Sequence, residues 1–100
     1  VSAQNLGYDL EGIDPNGDDI YIEVKSLEWQ GQKFRMTNNE FAVAQIKKNK
    51  YYLALVIQNK ETIEIGLVRN PIDSLKLTRQ CVQWVWECSE YEFCPIRFEL

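Results

Sequence analysis

The chain has no histidine among its 100 residues. That absence removes histidine-dependent catalytic triads, HNH-type nuclease sites and most catalytic zinc centres, leaving carboxylates and lysine as the groups able to do chemistry. Cysteine is scarce: Cys81, Cys88 and Cys94 are too few for a four-cysteine zinc site, and their spacings of seven and six contain no C-x-x-C. An odd count points to reduced thiols in an intracellular, cytoplasmic protein, and such cysteines are expected to be buried or half-buried as small hydrophobes. Long hydrophobic runs are missing too. The longest, Tyr51 to Ile57, is far too short to cross a bilayer, no signal peptide is visible, and no membrane function is expected. Positive charge is in deficit, with 11 Lys and Arg against 15 Asp and Glu and a net charge of -4. This argues against nucleic-acid binding by bulk electrostatics, because phosphate contacts need clustered cations.

What is present suffices for one small core. A hydrophobic content of 45% over 100 residues fits a single α+β unit spanning 1–100. Val1 is not an initiator methionine and a strand begins soon after it, so the chain reads as cut from a longer polypeptide or as a processed product.

The densest local signal is Asp14-Pro15-Asn16-Gly17-Asp18, which stacks turn-forming residues between two apolar runs and predicts a β-hairpin. In the second strand Ile20, Ile22 and Val24 alternate with Tyr21, Glu23 and Lys25, placing aliphatic side chains on one face and the acid and base on the other. With a loop over 14–18, Ile13 pairs with Asp19, Glu11 with Tyr21, and Asp9 with Glu23. Two carboxylates opposed across a ladder repel unless a cation lies between them or one is protonated. Hard oxygen ligands favour Mg²⁺ or Mn²⁺. Lys25, two residues on, projects beside the same place, where it can orient a water or stabilise developing negative charge. A register slip of one residue destroys this geometry. The competing reading is a solvated polar strand face, on which E-x-K is a common triplet.

Downstream, Gln30-Gly31-Gln32 marks a reversal and Lys33-Phe34-Arg35-Met36 alternates as a short strand would. Thr37-Asn38-Asn39-Glu40 fits a capping box, predicting a helix from about Asn38 to Lys48 that lies against a sheet through Phe41, Ala42, Val43, Ala44 and Ile46. The capping box explains Glu40 without catalysis, and Gln45 reads as a boundary residue. Tyr51 to Gln58 and Thr62 to Val68 are predicted as two central strands, the second with Ile63, Ile65 and Leu67 on one face. Ile72 to Leu75 reads as a helical turn or loop. The tail from Cys81 carries Trp84, Trp86, Tyr91, Phe93 and Phe98; its alternation predicts a strand or hairpin, with the aromatics in core or interface packing in preference to base stacking. Five cations, Lys33, Arg35, Lys47, Lys48 and Lys50, stand against Glu40 alone between positions 33 and 50. They can track a phosphate backbone, or simply favour the C-terminus of the helix dipole.

Asp9 followed after a turn by Glu23-Val24-Lys25 resembles the D…(D/E)-X-K signature of the PD-(D/E)XK nuclease superfamily. More closely, Asn5-Leu6-Gly7-Tyr8-Asp9-Leu10, Tyr21-Ile22-Glu23-Val24-Lys25-Ser26, Thr37-Asn38-Asn39-Glu40-Phe41 with Ala44, and Tyr52-Leu53-Ala54-Leu55-Val56-Ile57 resemble, in that order over about 5–70, the Protein NO VEIN C-terminal domain family. The resemblance implies a restriction-endonuclease-like fold, a mixed central sheet with a helix packed on it. It implies metal binding by Asp9, Glu23 and the backbone carbonyl of Val24, water activation by Lys25, and DNA as substrate, making the domain a metal-dependent DNA nuclease; the alternative is a non-catalytic interaction or DNA-positioning module of the same fold. Such domains are usually appended to helicases, ATPases or other DNA-processing parts. One departure is plain: these nucleases commonly carry a glutamate on a helix before the first strand, so either that helix lies upstream of Val1 or the site is short of one acid.

Overall fold

A computed structural model describes residues 6–83 and 85–97. The hairpin forms as the turn chemistry requires. Strand β1 (Leu10–Ile13) and strand β2 (Asp19–Leu27) pair antiparallel with Ile13 opposite Asp19 and Glu11 opposite Tyr21. Asp14 closes the turn: its carboxylate accepts the N–H groups of Asn16 and Asp18, each at 2.9 Å, while Gly17 takes the left-handed φ of 83°. Lys50 clasps the same turn, with Nζ 2.8 Å from Asp18 and 3.7 Å from Asp14.

Helix α1 (Asn38–Lys47) begins on the expected capping box: Glu40 N–H donates to Thr37 Oγ1 at 3.1 Å and Thr37 N–H to Glu40 Oε1 at 3.0 Å. A single 3₁₀ turn, Lys48–Lys50, leads into strand β3 (Tyr51–Gln58), which lies parallel to β2; strand β4 (Ile63–Arg69) returns antiparallel. The sheet order is β1-β2-β3-β4, so β2 and β3 are central and β4 is an edge strand, not a second central one. A four-residue helix α2 (Pro71–Ser74) follows, with Pro71 in its first turn and Asn70 as its cap.

The core is small: Ala44 of α1 against Tyr51 and Leu53 of β3, with Tyr8, Tyr21, Phe34, Met36, Val43 and Val68 packed around it. Because strand side chains alternate, the α1 face of the sheet is the one carrying Tyr21, Glu23 and Lys25. The opposite face carries Ile20, Ile22 and Val24 of β2, Val56 of β3, and Ile63, Ile65 and Leu67 of β4, the last three at least 60% exposed.

Three sequence expectations change here. Residues 33–36 form no strand, because the chain uses them to rise from the sheet to the start of α1. The helix buries a narrower stripe than its composition implies, with Ile46 76% exposed, because one helix on a four-stranded sheet contacts it along a single line. The described tail, 75–83 and 85–97, holds neither strand nor hairpin, and Trp86, Tyr91 and Phe93 are exposed instead of lying in the core. Cys81, Cys88 and Cys94 are likewise free and exposed. Trp84, Phe98 and Glu99, and the stretch 1–5 with Val1 and Asn5, lie outside the described residues.

One glycine fixes the approach to β1. Gly7 has φ 78°, and a Cβ added there would meet Val43 Cγ2 at 2.6 Å and the Asn39 carbonyl at 3.1 Å. Tyr51, fully buried, donates its hydroxyl to the Gly7 carbonyl at 2.7 Å. Gly7→Ala combines a strained backbone with a clash against α1, and is expected to cost about 2 kcal/mol in chemical denaturation. A loss within 0.5 kcal/mol of zero would show that this segment does not pack on α1.

Candidate functional site

Asp9 lies just before β1 and is tied to β2 twice. Its N–H donates to the Ile22 carbonyl at 2.9 Å, and its Oδ2 accepts the Val24 N–H at 2.8 Å. It therefore brackets Glu23 on both sides along the chain. In an extended strand the N–H and C=O of one residue point the same way, so the Val24 carbonyl also faces the edge where Asp9 sits. The structure thus ties Asp9 to the backbone of β2 at Ile22 and Val24, the two neighbours of Glu23 in sequence.

Glu23 is a central-strand residue only 6% exposed. Burial, the negative charges of Glu40 and Asp9, and a hydrogen bond with Glu40 push its carboxyl from the ordinary 4.5 up to about 7, against the opposing pull of Lys25. Lys25 Nζ lies 2.7 Å from Glu40 Oε1 and 3.6 Å from Glu23 Oε2. Burial with the charges of Glu23, Glu40 and Asp9 also raises the pKa of the Tyr51 hydroxyl, which places this core residue within the field of the site.

Glu40 is the site residue that sequence reasoning passed over. Its Oε1 accepts from the Thr37 N–H and from Lys25 at once, so one oxygen completes the capping box and holds the lysine. The capping motif explained the residue fully at the level of local sequence. The missing information was that the parallel β2–α1–β3 connection sets the first turn of α1 over Glu23 and Lys25.

The five cations expected to act together are divided between the two ends of α1. Lys33 and Arg35 are exposed before its N-terminus. Lys50 is engaged with the hairpin turn, Lys47 lies over the Tyr21 ring at 4.4 Å from its centroid, and Lys48 is the exposed C-cap. A ten-residue helix separates the groups by about 15 Å. Gln45 is exposed on α1. Among the described residues no three His, Cys, Asp or Glu side chains are grouped to hold a metal ion, and no helix is long and apolar enough to cross a membrane. Glu23 feels the charges of both the Glu40 and Asp9 carboxylates, and it is Glu40 that shares a hydrogen bond with it.

A mixed four-stranded sheet, two helices, and an acid–lysine cluster between β2 and α1 define an α+β domain with one polar focus. The family model described as Protein NO VEIN, C-terminal, matches residues 1–68, and the chain belongs to that family. The match ends within β4 and takes in the whole acid–lysine cluster. Neither the curated proteins nor the solved structures give a match.

Proposed function

We propose that this domain is a metal-dependent phosphodiesterase acting on DNA, of the PD-(D/E)XK type with a restriction-endonuclease-like sheet. The observation that carries the reading is the bracketing of Glu23 by Asp9, with Lys25 alongside. The donor set fits Mg²⁺ or Mn²⁺: it consists of hard oxygens, Asp9 is exposed, and Glu23 stands in negative charge that a cation relieves. Asp9, Glu23 and the Val24 carbonyl hold the ion in this reading. When bound, it supplies charge stabilisation at the phosphate and lowers the pKa of a coordinated water. Lys25 donates a hydrogen bond to the attacking water and keeps positive charge beside the phosphate. Glu40 fixes the lysine in that direction and is a positioning residue. Substrate choice comes from a longer intracellular protein, with a helicase or ATPase part as its natural partner.

A non-catalytic DNA-positioning or interaction module is the second reading. It is favoured by the 2.7 Å bond to Glu40, which neutralises Lys25 within the domain.

Calorimetric titration with Mn²⁺ or Mg²⁺, on the wild type and Glu23→Ala, with plasmid nicking assayed on the same samples, separates the two. Binding and nicking that are both lost in Glu23→Ala support the phosphodiesterase. Metal binding without nicking, or no binding at millimolar metal, hands the domain to the non-catalytic reading.

A further inference from the structure

A groove runs beside the start of α1, between the 33–37 segment and the chain that follows α2. Lys33, Arg35, Lys76 and Arg79 all line it, together with Phe34 and Phe41. No carboxylate lines it, in a chain whose net charge is -4. All four cations are exposed, and none makes an ion pair among the described residues. Lys50, by contrast, is held between two aspartates. The lining includes Thr37, the cap of the helix whose Glu40 holds Lys25.

We infer that this groove binds a single nucleic-acid strand beside the start of α1, the end of the helix that carries Glu40. The inference deepens the phosphodiesterase reading, on which it rests, by naming an unpaired strand as the substrate. The form of the lining decides between strand and duplex. Four cations meet the phosphates of one backbone, while the exposed Phe41 ring in the lining meets a base face, which an unpaired strand exposes and a duplex keeps stacked. Lys76 and Arg79 are distant in sequence from Lys33 and Arg35, and it is the fold that brings the two pairs to one groove.

The test is fluorescence anisotropy of a labelled oligothymidylate, and of a duplex of equal length, in EDTA over a range of salt. Metal-free binding is independent of whether the domain cleaves. Four phosphate contacts predict a log–log salt slope near about -2.8 for the single strand, a loss of about 50-fold between 50 and 200 mM salt. The double variants Lys33→Ala with Arg35→Ala, and Lys76→Ala with Arg79→Ala, each lower that slope by about 1.4. Phe41→Ala weakens binding about tenfold. Lys60→Ala, on the exposed turn between β3 and β4, changes nothing. Duplex binding as tight as single-strand binding, equal losses in Lys60→Ala, or binding of polyglutamate in place of the oligonucleotide overturns the inference. Single-strand binding at the groove without metal-dependent nicking removes the phosphodiesterase and leaves the groove. Nicking that persists while both double variants bind as wild type removes the groove and leaves the phosphodiesterase.

Discussion

Replacing Lys25 with methionine should lower stability at pH 8 by about 3 kcal/mol and abolish metal-dependent nicking. The ammonium sits between Glu40 and Glu23, and all three side chains are largely withdrawn from water. Methionine keeps most of the aliphatic volume, so the loss reports charge and not a cavity. Without the cation, Glu23 loses the one influence that lowers its pKa, and its carboxyl rises further above about 7. The destabilisation therefore grows with pH and is smaller near pH 5, where Glu23 is protonated and the loss is that of the bond to Glu40. Urea denaturation of both proteins at pH 5 and pH 8 measures it. Equal losses at the two pH values would show that Lys25 acts through packing alone.

The second large effect is a stability that falls as pH rises. In the unfolded chain Glu23 releases its proton near 4.5, and in the folded chain near about 7. Between those values the native state holds the extra proton, so stability is greatest below the unfolded value and is lost as pH climbs through the folded one. The loss is roughly 2 to 3 kcal/mol, or about 10 °C in melting temperature for a domain of this size. Asp14 works in the opposite sense: the Asp18 and Asn16 N–H groups and the Lys50 ammonium hold its carboxyl below the usual range, so its contribution is lost only at more acid pH. Glu23→Gln removes the slope between pH 4.5 and 7 and is more stable than wild type at pH 8. Mn²⁺ should raise the pH 8 melting temperature of wild type and leave that of Glu23→Gln unchanged. A wild-type melting curve flat from pH 5 to 8 would show that Glu23 ionises freely.

The hairpin was legible because its determinants are local: the residues at 14–18 permit few backbone paths, and the loop length fixes the register that brings Asp9 to Glu23. The capping box and the run Tyr51–Gln58 were legible for the same reason. What stayed hidden depends on which face α1 covers. By alternation the polar side of β2 reads as the wet one, yet the parallel crossover lays α1 over it, burying Glu23 and leaving Ile63, Ile65 and Leu67 exposed on the reverse. Glu40 escaped as a site residue because its partner Lys25 lies fifteen positions away on another element. The tail misled because Val82, Trp84 and Trp86 alternate as a strand does, whereas pairing requires a neighbouring edge that no sequence period supplies.

The hydrogen bond from Tyr51 to Gly7 spans 44 positions, and it gives the site an order of assembly. A hairpin closes within microseconds, so β1 and β2 can meet as soon as both have left the ribosome. The segment just before Asp9 gains its anchor only when Tyr51 arrives with β3. At about 5 to 20 residues per second, synthesis separates the two events by seconds. During that interval the nascent chain carries both acids of the site without the contact that fixes their approach. The acid–lysine cluster therefore reaches its final arrangement only after the central parallel strand pair has formed.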